Sequence, residues 1–167
     1  LDLYGHLISL TVINELTVIH TMLAAVRTAR DMTAYRDVET GAHLDRMARY
    51  ARLIAKTLAV KYDFSDEYIE HLFLFAPLHD IGKISVPDSI LHKQGPLDAT
   101  EIAIMKRHAL KGREIVDAML SEFGLNSLPY VEVLRNIIEF HHEKLDASVY
   151  PTGLRDDHIP IEARIIA

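Results

Sequence analysis

Apolar residues recur along this chain at alternating spacings of three and four, the mark of helices with one buried face. Val12, Leu16, Ile19, Leu23 and Val26 form one such stripe, and Leu44, Met47, Ala51, Ile54 and Leu58 form a second. Ile69, Leu72, Ala76 and His79 follow the same rule, as do Ile102, Met105, Ala109, Gly112, Val116 and Met119, then Val131, Leu134, Ile138 and His141. Helix starts are marked at Ser65, followed by Asp66 and Glu67, and at Asp98, where Glu101 completes a capping box. No alternating run is long enough for a sheet. The expected fold class is all-α, a multi-helix bundle.

Breaks in the pattern fall at Pro87, Gly95 and Pro96, at Gly124 and Pro129, and at Pro151, Gly153 and Pro160. Pro77 lies inside a helical stripe and removes the hydrogen bond back to Phe73, so a kink is expected just before His79. Residues 1–34 read as a connector, either a dimerising coiled coil or a helix packed on the domain. Residues 35–167 form the domain proper. The chain starts at Leu1 and stops on Ile165-Ile166-Ala167, as a piece cut from something longer would.

Composition narrows the class. A chain of 167 residues suits one domain with a sizeable core. The absence of cysteine excludes disulfides and thiolate-bound zinc. A formal charge of −6 argues against a broad basic surface, so neither DNA nor an anionic membrane is an expected partner. Glu15, with His6, Asn14 and His20, interrupts the apolar stretch from Leu3 to Val26, so no membrane span is expected there. No leader segment is visible, and a cytoplasmic location is the expectation.

The candidate chemistry sits where polar residues interrupt these stripes. His79-Asp80-Ile81-Gly82-Lys83 places an imidazole beside a carboxylate, a mixed nitrogen and oxygen pair suited to a hard or borderline cation. A buried histidine is ordinarily settled by a backbone carbonyl. The adjacent carboxylate needs a partner as well, and a shared cation serves both. Glu39 and His43 stand one helical turn apart on one face, beside inward-pointing Leu44 and Met47, though an exposed polar pair has the same spacing. His108 lies near the inward stripe of its helix, where a core histidine is the plainer reading. His141 and His142 are adjacent, so their side chains diverge by roughly 100° on a helix and reach two metals, or one metal and a supporting group. Glu143 and Asp146 follow, either able to accept an imidazole N–H. Lys83 offers a mobile cation to a phosphate oxygen. His6, His20, His71, His92 and His158 fit no ligand geometry. Taken together, these residues read as a multinuclear metal site, which points to metal-assisted hydrolysis.

The ordered set Asp37-x-Glu39-Thr40-Gly41-x-His43, HDIGK at 79–83, Pro87-Asp88-x-Ile90-Leu91, Met105-Lys106-x-His108, His141-His142-Glu143 and Ile159-Pro160-x-x-Ala163-Arg164 strongly resembles an HD-GYP domain. That family is a branch of the HD phosphohydrolases whose members degrade bacterial cyclic di-GMP, and the likeness runs from about Tyr35 to Ala167. It implies an HD-type helical bundle with two or three iron or manganese ions between its helices. It assigns His79, Asp80, His108, His141 and His142 to metal binding, with Glu39 and His43 completing a third site. Asp80 would bridge two ions, Lys83 would face the substrate phosphate, and Arg164 is added as a phosphate contact. The implied reaction is hydrolysis of cyclic di-GMP to pGpG, GMP or both, in bacterial signalling. A sensory or receiver domain ahead of Leu1, a GGDEF-type partner and a homodimer belong to the same expectation.

Two departures stand out. Where the family reads Asp-Gly-x-Gly-Tyr-Pro, this chain has Asp146-Ala147-Ser148-Val149-Tyr150-Pro151. Both glycines are gone, and Val149 tolerates positive φ poorly, so a different loop path is expected. The family also continues past Arg164 into a helix whose aspartate helps to close the metal site, and this chain ends at Ala167, before that residue. The alternative reading is a catalytically inactive module that binds cyclic di-GMP or a protein partner to transmit a signal.

Overall fold

The structure is a computed structural model that describes residues 3–36, 41–144 and 150–167, and no strand occurs among them. The α-helices are α1 (Leu3–Arg36), α2 (Gly41–Tyr62), α3 (Asp66–Phe75), α4 (Asp88–Leu91), α5 (Ala99–Lys106), α6 (His108–Glu122), α7 (Val131–Phe140) and α8 (Ile161–Ile166). Short 3-10 turns cover Ala76–Leu78, Ile81–Ser85 and Asp156–His158. The all-α expectation is borne out.

Both marked helix starts are built as the sequence suggests. Ser65 Oγ accepts from the Tyr68 N–H at 3.1 Å. Asp98 and Glu101 form a reciprocal box, Glu101 N–H donating to Asp98 Oδ1 at 2.9 Å and Asp98 N–H to Glu101 Oε2 at 2.8 Å. Asp98→Ala leaves the Glu101 amide without its partner, and urea denaturation is expected to show a loss of about 1 kcal/mol.

Leu72, Phe75 and Leu78 from the α3 arm, Val116 and Leu120 from α6, and Leu134, Ile137 and Ile138 from α7 fill the centre of the bundle. Each such burial contributes about 1.5–3 kcal/mol. On α2 the inward face is Leu44, Ala48, Ala51 and Ala55, whereas Ile54 is 41% exposed. The alanines lie at helical spacing and let α3 and the 76–78 turn approach closely, which displaces the expected stripe by one position. Pro77 ends α3 at Phe75 and converts the next three residues to a 3-10 turn, as its missing N–H requires.

The stripe from Ile102 to Met119 predicts one helix, and the structure has two. The break falls at Arg107, where the His108 ring Nδ1 bonds the Met105 carbonyl at 2.8 Å. That carbonyl is captured by a side chain, and the chain restarts with His108 as the first residue of α6.

Helix α1 joins the core through Ala29, and its Thr28 and Met32 form a groove with Ile81 and Phe123. Toward its start, Leu3, Tyr4, Leu7, Ile8, Leu10 and Ile13 are exposed. Among the described residues no helix is long and apolar enough to cross a membrane.

Candidate metal centre

The HD segment is held against α6 by a backbone crossing. A Cβ on Gly82 would lie 1.8 Å from the His108 carbonyl oxygen and 2.5 Å from the Gly112 nitrogen, so only glycine fits. Gly112 reciprocates, with Gly82 N at 3.1 Å from its own imagined Cβ. This crossing sets Asp80, two residues before Gly82, opposite His108, four residues before Gly112. Gly82 lies inside the Ile81–Ser85 turn and serves close approach.

Asp80 is the hub, 6% exposed. Its Oδ2 lies 3.0 Å from His79 Nε2 and 2.7 Å from Lys83 Nζ. Its Oδ1 lies 3.0 Å from His108 Nε2 and 3.4 Å from His141 Nε2. Three histidines are oriented by backbone carbonyls on the opposite ring nitrogen. His79 Nδ1 bonds Ala76 O at 3.1 Å, His108 Nδ1 bonds Met105 O, and His141 Nδ1 bonds the Ile137 and Ile138 carbonyls at 3.1 and 3.0 Å. A carbonyl can only accept, so each Nδ1 carries a hydrogen, and each Nε2 points at the hub.

The protonation state follows from burial and charge. Burial and the neighbouring imidazoles push His142 down to about 3, and burial foremost lowers His141 as well. Burial alone would raise Asp80, but the polar faces of His108, His141 and His79 outweigh it and hold the carboxyl far below the usual carboxylate range. With Nδ1 protonated and His141 neutral, its Nε2 presents a lone pair. The Nε2 atoms of His108 and His141 face each other at 3.3 Å across Asp80 Oδ1, an oxygen buried without a hydrogen-bond donor. Imidazole nitrogens and a buried carboxylate oxygen turned to one point make a mixed donor set for a cation.

Asp80, His108, His141 and His142 each offer a ligand atom within 4.8 Å of the others. That spread suits bonds of about 2 Å to a shared ion. Imidazole and carboxylate donors without thiolate fit divalent iron or manganese. The donor set therefore fits a metal.

The remaining expectations divide. His79 and Lys83 join the cluster through Asp80 Oδ2. His43, in the first turn of α2, is exposed rather than turned to the core edge, while Leu44 beside it points inward as expected. Glu39 lies outside the described residues, as do Asp146 and the Ala147-Ser148-Val149 departure. Arg164 sits on α8, pairing through Nη1 with Asp157 at 3.2 Å, while its Nε is buried without a partner. His71 stacks on Tyr130 at 4.5 Å, a packing role.

Glu143 was expected to orient an imidazole, and it does something else. It is 2% exposed, and its carboxylate accepts from Thr152 N–H, Thr152 Oγ1, Gly153 N–H and Leu154 N–H at 2.7, 2.9, 3.0 and 3.0 Å. Tyr150, which the sequence does not mark as a site residue, has its ring 4.6 Å from that of His142, with the Lys106 ammonium 5.1 Å from the ring centre. Burial and the Asp80 charge push its phenol up to about 12. The retained Tyr-Pro pair was the available signal for it, but its contact lies eight residues back in the chain.

A family model described as HD domain matches residues 38–167. Among curated proteins, the chain is 38% identical over 148 residues to a probable cyclic di-GMP phosphodiesterase of Vibrio cholerae, covering 86% of this chain and 33% of that protein. It is 42% identical over 132 residues to the 3'3'-cGAMP-specific phosphodiesterase 2 of the same organism, covering 79% and 23%. It is 41% identical over 133 residues to the cyclic di-GMP phosphodiesterase response regulator RpfG of Xanthomonas campestris pv. campestris, covering 80% and 32%. The chain thus spans a third or less of the length of these relatives.

Proposed function

Because this chain belongs to the HD-domain family, we propose that it is a metal-dependent phosphodiesterase that opens a cyclic dinucleotide, cyclic di-GMP foremost, to pGpG, GMP or both. The observation that carries this reading is the buried Asp80 Oδ1 facing the His108 and His141 Nε2 atoms. Relatives named for cyclic di-GMP and for 3'3'-cGAMP support the substrate class.

His79, Asp80, His108, His141 and His142 would hold two iron or manganese ions, with Asp80 shared between them. Bound there, such ions lower the pKa of water and neutralise charge on phosphate oxygens. Lys83, 2.7 Å from Asp80 Oδ2, brings an ammonium to the same place and donates to a phosphate oxygen as charge grows on it. Arg164 provides a second cationic contact once its guanidinium leaves exposed Asp157. In the longer protein a sensory or receiver domain precedes Leu1 and a GGDEF-type partner acts nearby, and the exposed apolar start of α1 pairs in a homodimer.

Chromatography of products tests the reading. The full-length protein loaded with Mn(II) is expected to linearise cyclic di-GMP, with 3'3'-cGAMP as the comparison substrate. If neither dinucleotide is linearised while the centre is fully loaded, the protein is a binding module instead.

A third ion is proposed at Glu39 and His43. Since His43 is exposed, this outermost ion is held least tightly and leaves first on dialysis. Glu39→Ala is expected to lower the metal content by about one ion while the Asp80 centre stays occupied, as separable ligand sets require. Elemental analysis showing the parent's metal content in that variant makes Glu39 a structural carboxylate.

A further inference from the structure

His142 is fixed differently from the other histidines of the centre. His79, His108 and His141 each have a carbonyl on Nδ1 that sets tautomer and ring angle. Among the described residues no carbonyl does this for His142. Its ring is packed instead among rings, with His141 at 4.1 Å, His108 at 5.0 Å and Tyr150 at 4.6 Å, the Tyr150 ring tilted by 33°. Two of those neighbours are proposed ligands themselves, so among the described residues Tyr150 is the wall supplied for orientation alone. A tyrosine half-exposed on a loop needs an anchor of its own to serve as a wall.

Glu143 is that anchor. It follows His142 directly in sequence, and its buried carboxylate gathers three backbone amides and one hydroxyl from residues 152–154. Charge-assisted hydrogen bonds of this kind are about twice as strong as neutral ones. Four of them on one carboxylate hold the chain just after Tyr150 within a few ångströms of the His142 backbone. We infer that Glu143 is a positioning residue for the metal centre: by anchoring residues 152–154 it presses Tyr150 onto His142 and fixes that ring. Supporting groups of this sort contribute about 10- to 100-fold to metal affinity.

The test uses the metal-free full-length protein and Mn(II) alone. Long-range proton–nitrogen spectra of histidine-labelled protein report each ring's tautomer. Glu143→Gln is expected to change the His142 signals and leave those of His79, His108 and His141 as in the parent. Mn(II) titration followed by electron paramagnetic resonance is expected to show about 10- to 100-fold weaker binding for Glu143→Gln and for Tyr150→Ala. The double variant is expected to be no weaker than the worse single, because both act through one contact. Thr152→Val, which loses one of the four bonds at an exposed position, should shift in the same direction by less. If Glu143→Gln does not fold, Tyr150→Ala decides. Parental Mn(II) affinity in Tyr150→Ala, unchanged His142 signals in Glu143→Gln, or full additivity in the double variant overturns the inference. This inference rests on the metal reading above only for the titration, and a parent that binds no Mn(II) sinks that reading while the spectra still judge Glu143.

Discussion

Asp80→Asn is expected to remove cyclic dinucleotide hydrolysis almost completely and to destabilise the metal-free protein as well. The two effects have one cause. In the parent, the buried Asp80 charge is met by Lys83 Nζ at 2.7 Å and by the Nε2 atoms of His79, His108 and His141. Its carboxyl is held far below the usual range in the folded protein, so the ionised form stabilises the fold at neutral pH. The asparagine amide has the same shape but no charge, and it removes the charge that faces the Lys83 ammonium. The melting temperature of the metal-stripped variant at neutral pH should therefore fall below that of the stripped parent. The same change deletes the shared anionic donor, so Mn(II) affinity and turnover should each fall by more than about 100-fold, the upper range for losing a group that merely supports a ligand. Calorimetry without metal, beside turnover with metal, checks both signs. A stripped variant that melts with or above the parent would mean that Lys83 and the histidines do not satisfy the Asp80 charge without a metal.

Gly82→Ala is the second large effect. The added methyl would sit 1.8 Å from the His108 carbonyl oxygen, so the Ile81–Ser85 turn must move off α6 by an ångström or more. Backbone sets both sides of that contact, and no side chain can swing away to relieve it. A loss of about 3 kcal/mol or more is expected, at or beyond the usual range for overpacking. The movement also separates Asp80 from His108, so Mn(II) affinity should fall even below the melting transition. Gly112→Ala is the internal control. Its nearest obstruction is Ile138 Cγ2 at 2.7 Å, the end of a side chain, although Gly82 N at 3.1 Å is also close. It should cost about half as much, and urea denaturation of the two variants gives the order. The reverse order would mean that the crossing is not what holds the HD segment in place.

The helices were legible because their apolar residues keep a 3.6-residue period, and the caps because Ser65 and Asp98 have the right partners nearby in sequence. The apolar stripe of α2 lies one position off its buried face, since large side chains dominate a periodicity over Ala48 and Ala55, and only the proximity of α3 gives those alanines their value. The break at Arg107 was hidden because the stripe runs straight through it, and its cause is the His108 ring bonding a carbonyl three residues back. At the site, the adjacency of His79 and Asp80 and the His141-His142 pair pointed to the cluster. Their convergence depends on two glycines thirty residues apart, which no local pattern relates. The partners of Glu143 are hidden in the sequence, because acceptors for backbone amides leave no residue signature there.

Metal-dependent turnover is the most direct measurement. Full-length protein is stripped with a chelator and titrated with Mn(II) while cyclic di-GMP consumption and metal content are followed on the same samples. Turnover is expected to be absent in the stripped protein, to rise with occupancy, and to level off when the Asp80 centre is filled. Equal turnover with and without metal, or none at full occupancy, contradicts the account.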